Sequence, residues 1–185
     1  MRNSGYNSRI SVSGKLLLFF LSGFIAGLVF GCISGRDYAD YAGILSEYYM
    51  NKYKYMELEE GRLFFYLVRK RLFPVLCLML LSRTTLAEHA NRLYVIWHGF
   101  SFGTLFTLLS VCYGAAGIAV GMTGVFPQYL FYVPAMIIIF NSKKVKYGPA
   151  EILTVYMIVF VLLAAGIFVE TWLNPSLLQG LLKKL

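Results

Sequence analysis

Charged residues are scarce in this chain, and their scarcity excludes a soluble domain. Asp, Glu, Lys and Arg make up 14% of the 185 residues, while hydrophobic residues make up 58%. A water-soluble surface needs far more charge, so the composition is typical of a polytopic membrane protein. The net charge of +8 comes from basic residues beside apolar runs, which indicates membrane topology and lipid contact. No nucleic-acid-binding motif accompanies it, and we expect no nucleic acid partner.

Residue types that carry catalysis or hold metals are equally few. His89 and His98 are the only histidines. The GxSxG match at 99–103 lies in an apolar helical run, whereas a nucleophile elbow needs a strand before it. The three cysteines are widely spaced and lie in apolar segments: Cys32, Cys77 and Cys112. We therefore expect no enzyme, no cofactor and no metal site.

Long uncharged runs are what the sequence has instead. Residues 16–33, 97–140 and 152–169 contain no Asp, Glu, Lys or Arg. About 20 apolar helical residues cross a bilayer, so the second run is long enough for two crossings. The predicted fold is an all-α, polytopic transmembrane bundle. Its membrane helices, about five in number, are predicted near 16–34, 66–82, 97–121, 125–141 and 150–170.

The polar segments complete the predicted organisation. We expect a cytoplasmic N-terminal tail at 1–15, a transmembrane domain at 16–178 and a short amphipathic tail at 179–185. The interfacial loop is predicted at 36–62. Residues 82–97 predict an elbow helix at the interface, with a broken membrane helix as the alternative.

We expect a multi-pass protein of the cell membrane. Its N-terminus is expected to lie in the cytoplasm. The positive-inside count is nevertheless a tie, with eight Lys or Arg on the inner side and nine on the outer. Excluding Arg69–Arg71 as embedded in the bundle would favour the cytoplasmic N-terminus.

Glycines recur at helical spacing in two apolar segments. Gly23, Gly27 and Gly31 follow one another every four residues, and Gly99 and Gly103 do the same at the start of the third predicted crossing. Small residues at this spacing let the backbone of another helix approach closely. Packing within the chain is the favoured interpretation, and a homo-oligomer seam is the alternative.

The segment at 36–62 is rich in tyrosine. Tyr41, Tyr48 and Tyr49 fall on one helical face, which is typical of an amphipathic helix at the bilayer interface or on a partner. The two interpretations are a docking surface and a membrane-hugging helix without a partner.

Two prolines and an amide interrupt the apolar run after residue 120. Pro127 and Pro134 predict a distorted fourth helix, and Gln128 between them is expected to bond to the loosened backbone. Glu170 is expected to reach water at the end of the last membrane helix. The sequence shows no paired charges within the membrane helices, which argues against a transporter.

The chain resembles the stage II sporulation protein M family in an ordered set of segments. These are His98-Gly99-Phe100, the stretch GVFPQYLFYVPA at 124–135 with its prolines, and VETWLNP at 169–175, which ends in Pro175. The resemblance implies a non-catalytic membrane scaffold of the sporulating cell. It further implies that the scaffold localises peptidoglycan hydrolases, with stage II sporulation proteins P and D as partners, during engulfment of the forespore. The alternative function is a small transporter or channel using the broken helix around Gln128.

Overall fold

The structure is a computed structural model that describes residues 4–42, 47–56, 59–82, 84–142 and 148–184, without the side chains of 4–13, 35–42, 47–50 and 149. The regular structure in these ranges is helical, so the predicted all-α class is confirmed. The elements are α1 (Ser4–Ala42), α2 (Glu47–Tyr55), α3 (Glu60–Leu81), α4 (Ala87–Ser142), α5 (Pro149–Phe168), a π-helical turn (Val169–Leu173) and α6 (Asn174–Leu182).

Three helical stretches are long and apolar enough to cross a membrane. They are Gly14–Ser34, Ala87–Ser142 and Ala150–Leu182. Large apolar side chains face outward along them, including Leu18 at 67% exposure and Ile33 at 76%. Such a surface is unfavourable in water and suited to lipid, so these helices support a multi-pass membrane protein.

Helix α4 is a hairpin that reverses direction at Gly114. This glycine has φ 58° and ψ −136°, a backbone conformation that other residues rarely adopt. Residues before and after it pair in antiparallel order, with Phe102 against Tyr129 (ring centroids 4.8 Å apart) and Tyr94 against Phe140 (6.3 Å). The two limbs are 87–113 and 115–142. The predicted helices 97–121 and 125–141 therefore had the correct number of segments, but the reversal lies at Gly114 and not between 121 and 125.

The first limb of α4 also begins earlier than predicted. Its helix starts at Ala87, and residues 87–97 form its first turns without a break. Neither the elbow helix nor the broken helix predicted at 82–97 is present. Ala87 is buried while Leu93 and Trp97 are exposed, so this segment has one bundle-facing and one outward-facing side like the rest of the limb.

The helix after Gly148 continues through Pro175, where the sequence predicted an end. Between Val169 and Leu173 the turn widens, and the N–H of Asn174 donates to the carbonyl of Val169, five residues back. Because proline has no N–H, a wider turn accommodates it without ending the helix. The predicted helix 150–170 thus extends to Leu182, and most of the predicted tail 179–185 belongs to α6.

Helix α3 includes the basic triplet at 69–71 as well as an internal proline, Pro74. It starts at Glu60, six residues before the predicted start at 66, and its first residue contacts the π-helical turn through a hydrogen bond from Trp172 Nε1 (2.5 Å). The predicted interfacial loop at 36–62 is largely helical, since α1 extends to Ala42 and α2 follows.

Helix α1 and the first limb of α4 run parallel along a glycine seam. Gly23, Gly27 and Gly31 lie against Ile96, Phe100 and Thr107 in the same order, and a Cβ at Gly31 would lie 2.7 Å from that of Thr107. The glycines of α1 therefore pack against another helix of the same chain, which was the favoured interpretation of the glycine spacing.

The seam is reciprocal. Gly99 and Gly103 of α4 lie against the backbone of Phe20 and Phe24, so glycines of each helix meet the backbone of the other. A Cβ at Gly23, Gly27, Gly99 or Gly103 would overlap a carbonyl oxygen of the facing helix, which explains the residue choice.

Candidate functional site

The stretch around Gln128 is helical throughout, so the predicted break is absent. Gln128 is 3% exposed, and its Nε2 donates to the carbonyl of Gly124 at 3.3 Å. This is not one of the carbonyls that Pro127 and Pro134 deprive of a donor, which are those of Thr123 and Leu130. Gln128 does bond to the backbone, as predicted. Its acceptor, however, is not a carbonyl that a proline leaves without a donor, so that part of the prediction is wrong.

Gln128 instead joins α4 to α6. Asn174 Nδ2 donates to Gln128 Oε1 and to the carbonyl of Gly124 (2.9 Å). Two stretches that carried the family resemblance, 124–135 and 169–175, are thus brought together by buried amides. Pro175, next to Asn174, is buried in the same contact region.

Glu170 faces the bundle and forms an ion pair that the sequence did not predict. Arg71 donates to both carboxylate oxygens, through Nε to Oε2 at 2.9 Å and through Nη2 to Oε1. Tyr132 donates its hydroxyl to Glu170 Oε2 at 2.7 Å. We call Arg71, Tyr132 and Glu170 the polar centre. The predictions that Glu170 reaches water and that paired intramembrane charges are absent are both corrected.

Glu170 is the second residue of the π-helical turn. The extra residue in such a turn changes the direction of the side chains that follow it, which here are those of α6. The Glu170 carboxylate meets a bidentate guanidinium and a hydroxyl, which together compensate its loss of water. Its side chain is 12% exposed, and that of Arg71 is 32% exposed.

The polar centre lies near the mid-level of the apolar stretches. Phe24, at the middle of the first apolar stretch, lies beside Gly103. The neighbouring Phe102 ring contacts Tyr129, whose ring lies 5.9 Å from that of Tyr132. The ion pair is therefore not at a helix end close to water, where isolated charges are easily tolerated.

A cleft of about 940 Å³ opens beside the polar centre. Among the described residues no Cα atom of α1 lies within 8 Å of one of α3, and residues of both helices line the cleft. Its wall is mostly apolar and aromatic, which is typical of sites for small amphipathic molecules. The wall also includes residues whose side chains can form hydrogen bonds: Lys70, Arg71, Tyr94, Trp97, His98, Ser101, Tyr129, Tyr132 and Asn141.

His98 has one ring nitrogen engaged within its own helix. Its Nδ1 lies 2.9 Å from the carbonyl of Tyr94, and the two rings are 4.0 Å apart at their centroids. Since that carbonyl is an acceptor, Nδ1 carries the proton and Nε2 is an acceptor in the cleft. The described residues contain no group of three or more potential metal ligands.

Sequence reasoning missed Arg71 and Tyr132 because each looked like something ordinary. Arg71 belongs to a basic triplet that resembles an interface, and tyrosines are common at interfaces. The sequence did contain one signal, an arginine in one predicted membrane helix and a glutamate at the end of another. Because an unpaired charge in a membrane helix is unfavourable, the two could have been predicted to pair. The predicted docking residues Tyr41, Tyr48 and Tyr49 have side chains outside the described part of the structure.

No family model, no curated protein and no solved structure matches the chain. The resemblance to the stage II sporulation protein M family therefore stays a prediction.

Proposed function

We propose that this protein is a non-catalytic scaffold of the cell membrane that resembles stage II sporulation protein M and holds peptidoglycan hydrolases at the membrane surface during engulfment. Five crossings form the scaffold: α1, α3, the two limbs of α4, and the long helix of α5 and α6. The parallel arrangement of α1 and the first limb supports this number, because α3 is then the return path between them. Its 22 residues rise about 33 Å, enough to cross a bilayer.

One observation carries the docking role, namely that α2 is attached firmly to the bundle. The Gln179 side chain of α6 donates to the carbonyls of Tyr53 (3.1 Å) and Met56 (3.0 Å) at the end of α2. Tyr53 packs beside Leu182 and Leu178, and burial raises the pKa of its phenol, which stays neutral. A surface helix fixed in this way can present side chains to a partner at little entropic cost.

The outward side of α2 is polar and aromatic. Tyr55 is 76% exposed, and Lys52 is exposed next to it. With the N-terminus in the cytoplasm, α2, the turn at Gly114 and α6 lie on the outer side, where wall enzymes act. An exposed tyrosine on an attached helix suits recognition of a protein surface, because aromatic residues are enriched at interfaces.

Crosslinking in intact cells tests this proposal. A photo-crosslinking residue at Tyr55 is expected to capture an extracytoplasmic peptidoglycan hydrolase, and Gln179→Ala is expected to reduce the yield several-fold because it releases α2. The same probe at Leu153, which is 65% exposed near the start of α5, is the control. Capture of no wall enzyme, together with normal function of Gln179→Ala and Tyr55→Ala, contradicts the proposal.

The cleft favours a second candidate function, a transporter for a small amphipathic solute. The sequence located such a pathway at Gln128, where α4 is unbroken, so the polar centre is the better position for it. Solute flux in reconstituted vesicles that Tyr132→Phe reduces, while Gln128→Leu leaves it unchanged, would favour the transporter over the scaffold.

A further inference from the structure

The outward face of α3 is apolar at both ends and cationic in the middle. Phe65 is 73% exposed before the cations, and Phe73 and Leu80 are 69% and 76% exposed after them. Arg69 and Lys70 lie between and are also exposed. Large exposed apolar side chains on either side show that this face is built for an apolar environment, which makes two cations within it unusual.

The described structure supplies these cations with no counter-charge. Lys70 lies over the ring of Tyr66 at 5.8 Å, and no carboxylate lies within ion-pair distance of Arg69 or Lys70 among the described residues. Their neighbour Arg71 points the other way and binds Glu170. Among the described residues, α3 therefore carries one cation that faces inward and pairs with a carboxylate, and two that face outward and pair with none.

The depth of the two cations, which rests on the proposed function in which α3 is one of the five crossings, excludes an easy escape to water. Residues 69–70 lie at the middle of α3, next to the polar centre at the mid-level of the bundle. Each end of α3 is about 15 Å away along the helix, more than a Lys or Arg side chain can span by extending toward the interface. A counter-charge at the same depth would remove the penalty.

We propose that this face of α3 docks a transmembrane helix of a partner membrane protein, and that this helix carries an Asp or Glu at mid-membrane depth opposite Arg69 and Lys70. Charge complementarity selects the occupant, because opposite charges attract strongly in a low-dielectric environment and each removes the burial penalty of the other. The exposed phenylalanines on both sides provide the apolar contact for the rest of the partner helix.

A second copy of this chain does not fit this role. In the described part of the chain, Glu170 is the one acidic side chain at mid-level, and Arg71 already binds it. The others lie at helix starts: Glu59, Glu60, Glu88 and Glu151. Lipid phosphates lie at the bilayer surface, too far from the middle of α3.

The inference goes beyond the proposed docking by α2, because the contact lies within the membrane and requires nothing of the surface helix. A photo-crosslinking residue at Phe73, one turn from Arg69, tests it in native membranes with the full chain. The expected adduct is with a membrane protein, and peptide mapping is expected to place it in a transmembrane segment that contains Asp or Glu.

Charge variants show whether the cations are responsible. Arg69→Leu with Lys70→Leu is expected to lower the adduct yield at least tenfold, whereas Lys70→Arg retains it. The matched control is Lys183→Leu with Lys184→Leu, a pair of exposed cations at the end of α6, which is expected to leave the yield unchanged. The double variant replaces two exposed side chains, of which Lys70 lies over the Tyr66 ring, and Lys70→Gln provides a milder variant with the same expected direction.

Several results would overturn the proposal. These are an adduct with a second copy of the chain, adducts with lipid alone, no adduct, or a yield unaffected by the double leucine variant. Rapid labelling of Lys70→Cys by a membrane-impermeant maleimide would overturn it as well, because the face would then be in water. The Tyr55 crosslinks are read separately, so failure of α2 docking and failure of this contact are distinguishable.

Discussion

At the scale of single residues, Glu170 and Arg71 owe their contact to features far apart in the sequence. Glu170 lies in the π-helical turn after α5, and Arg71 in the continuous helix α3 lies at the same level. Tyr132 completes the arrangement from α4. Buried ion pairs of this kind are sensitive to the loss of one partner, because the other charge then remains without compensation.

We predict that Arg71→Leu lowers the free energy of unfolding by about 3–5 kcal/mol, because it leaves the Glu170 carboxylate buried and unpaired. The double variant Arg71→Leu with Glu170→Leu is expected to recover most of that loss. The measurement is reversible unfolding in detergent micelles, arranged as a double-mutant cycle.

The exposed pair Arg92 and Glu88 is the control. Their side chains are 40% and 71% exposed, and Arg92→Ala is expected to cost only about 0.3–0.5 kcal/mol. If Arg71→Leu were as mild as Arg92→Ala, the polar centre would have no stabilising role.

At the scale of elements, a single glycine determines the shape of α4. With φ 58° at Gly114 the chain folds back, and a Cβ at Gly117 would overlap the backbone of Leu109 in the facing limb. The prolines, by contrast, are accommodated: Pro127 and Pro134 lie inside the second limb without reversing it. The positive φ of Gly114 therefore determines where the chain reverses. The two prolines do not, although their helix propensity is poor.

We predict that Gly114→Ala lowers the free energy of unfolding by about 1–3 kcal/mol, because alanine is strained at positive φ. Open space around Gly114 means that the effect comes from the backbone and not from a clash. Gly180→Ala is the matched control, since Gly180 lies in α6 with nothing within 4 Å of a Cβ. It is expected to stabilise by up to about 1 kcal/mol, and equal effects of the two changes would refute the backbone explanation.

At the scale of the whole molecule, the inward position of Arg71 bears on the proposed orientation. All three cations of the triplet 69–71 lie at mid-length of the proposed crossing α3, so they are left out of the count, and six Lys or Arg remain on the proposed outer side against eight on the inner side. The positive-inside rule then favours a cytoplasmic N-terminus.

Cysteine accessibility checks this orientation. After the native cysteines are replaced by alanine, a membrane-impermeant maleimide added to intact cells is expected to label Asn51→Cys and Gly180→Cys. Glu88→Cys and Gly148→Cys are expected to be labelled only after permeabilisation. The reverse pattern would place α2 in the cytoplasm and remove the basis for its docking of wall enzymes.

Part of this arrangement followed from the sequence, for identifiable reasons. The apolar runs around residues 16–33 and 152–169 predicted helices because composition and length are local properties. The spacing of Gly23, Gly27 and Gly31 likewise predicted a close helix contact. Which helix lies opposite depends on residues some 70 positions away, and the spacing alone did not identify it.

The sequence by itself determined that the chain is helical, lipid-compatible and tightly packed, because hydropathy, run length and residue size act along a single helix. Only the tertiary structure decided that Gly114 reverses α4, that Pro175 is accommodated by a π turn, and that Arg71 meets Glu170. Each of these depends on a balance between local strain and contacts made across the bundle. Local strain can be estimated from residue type, whereas the contacts that offset it exist only once the helices are packed together.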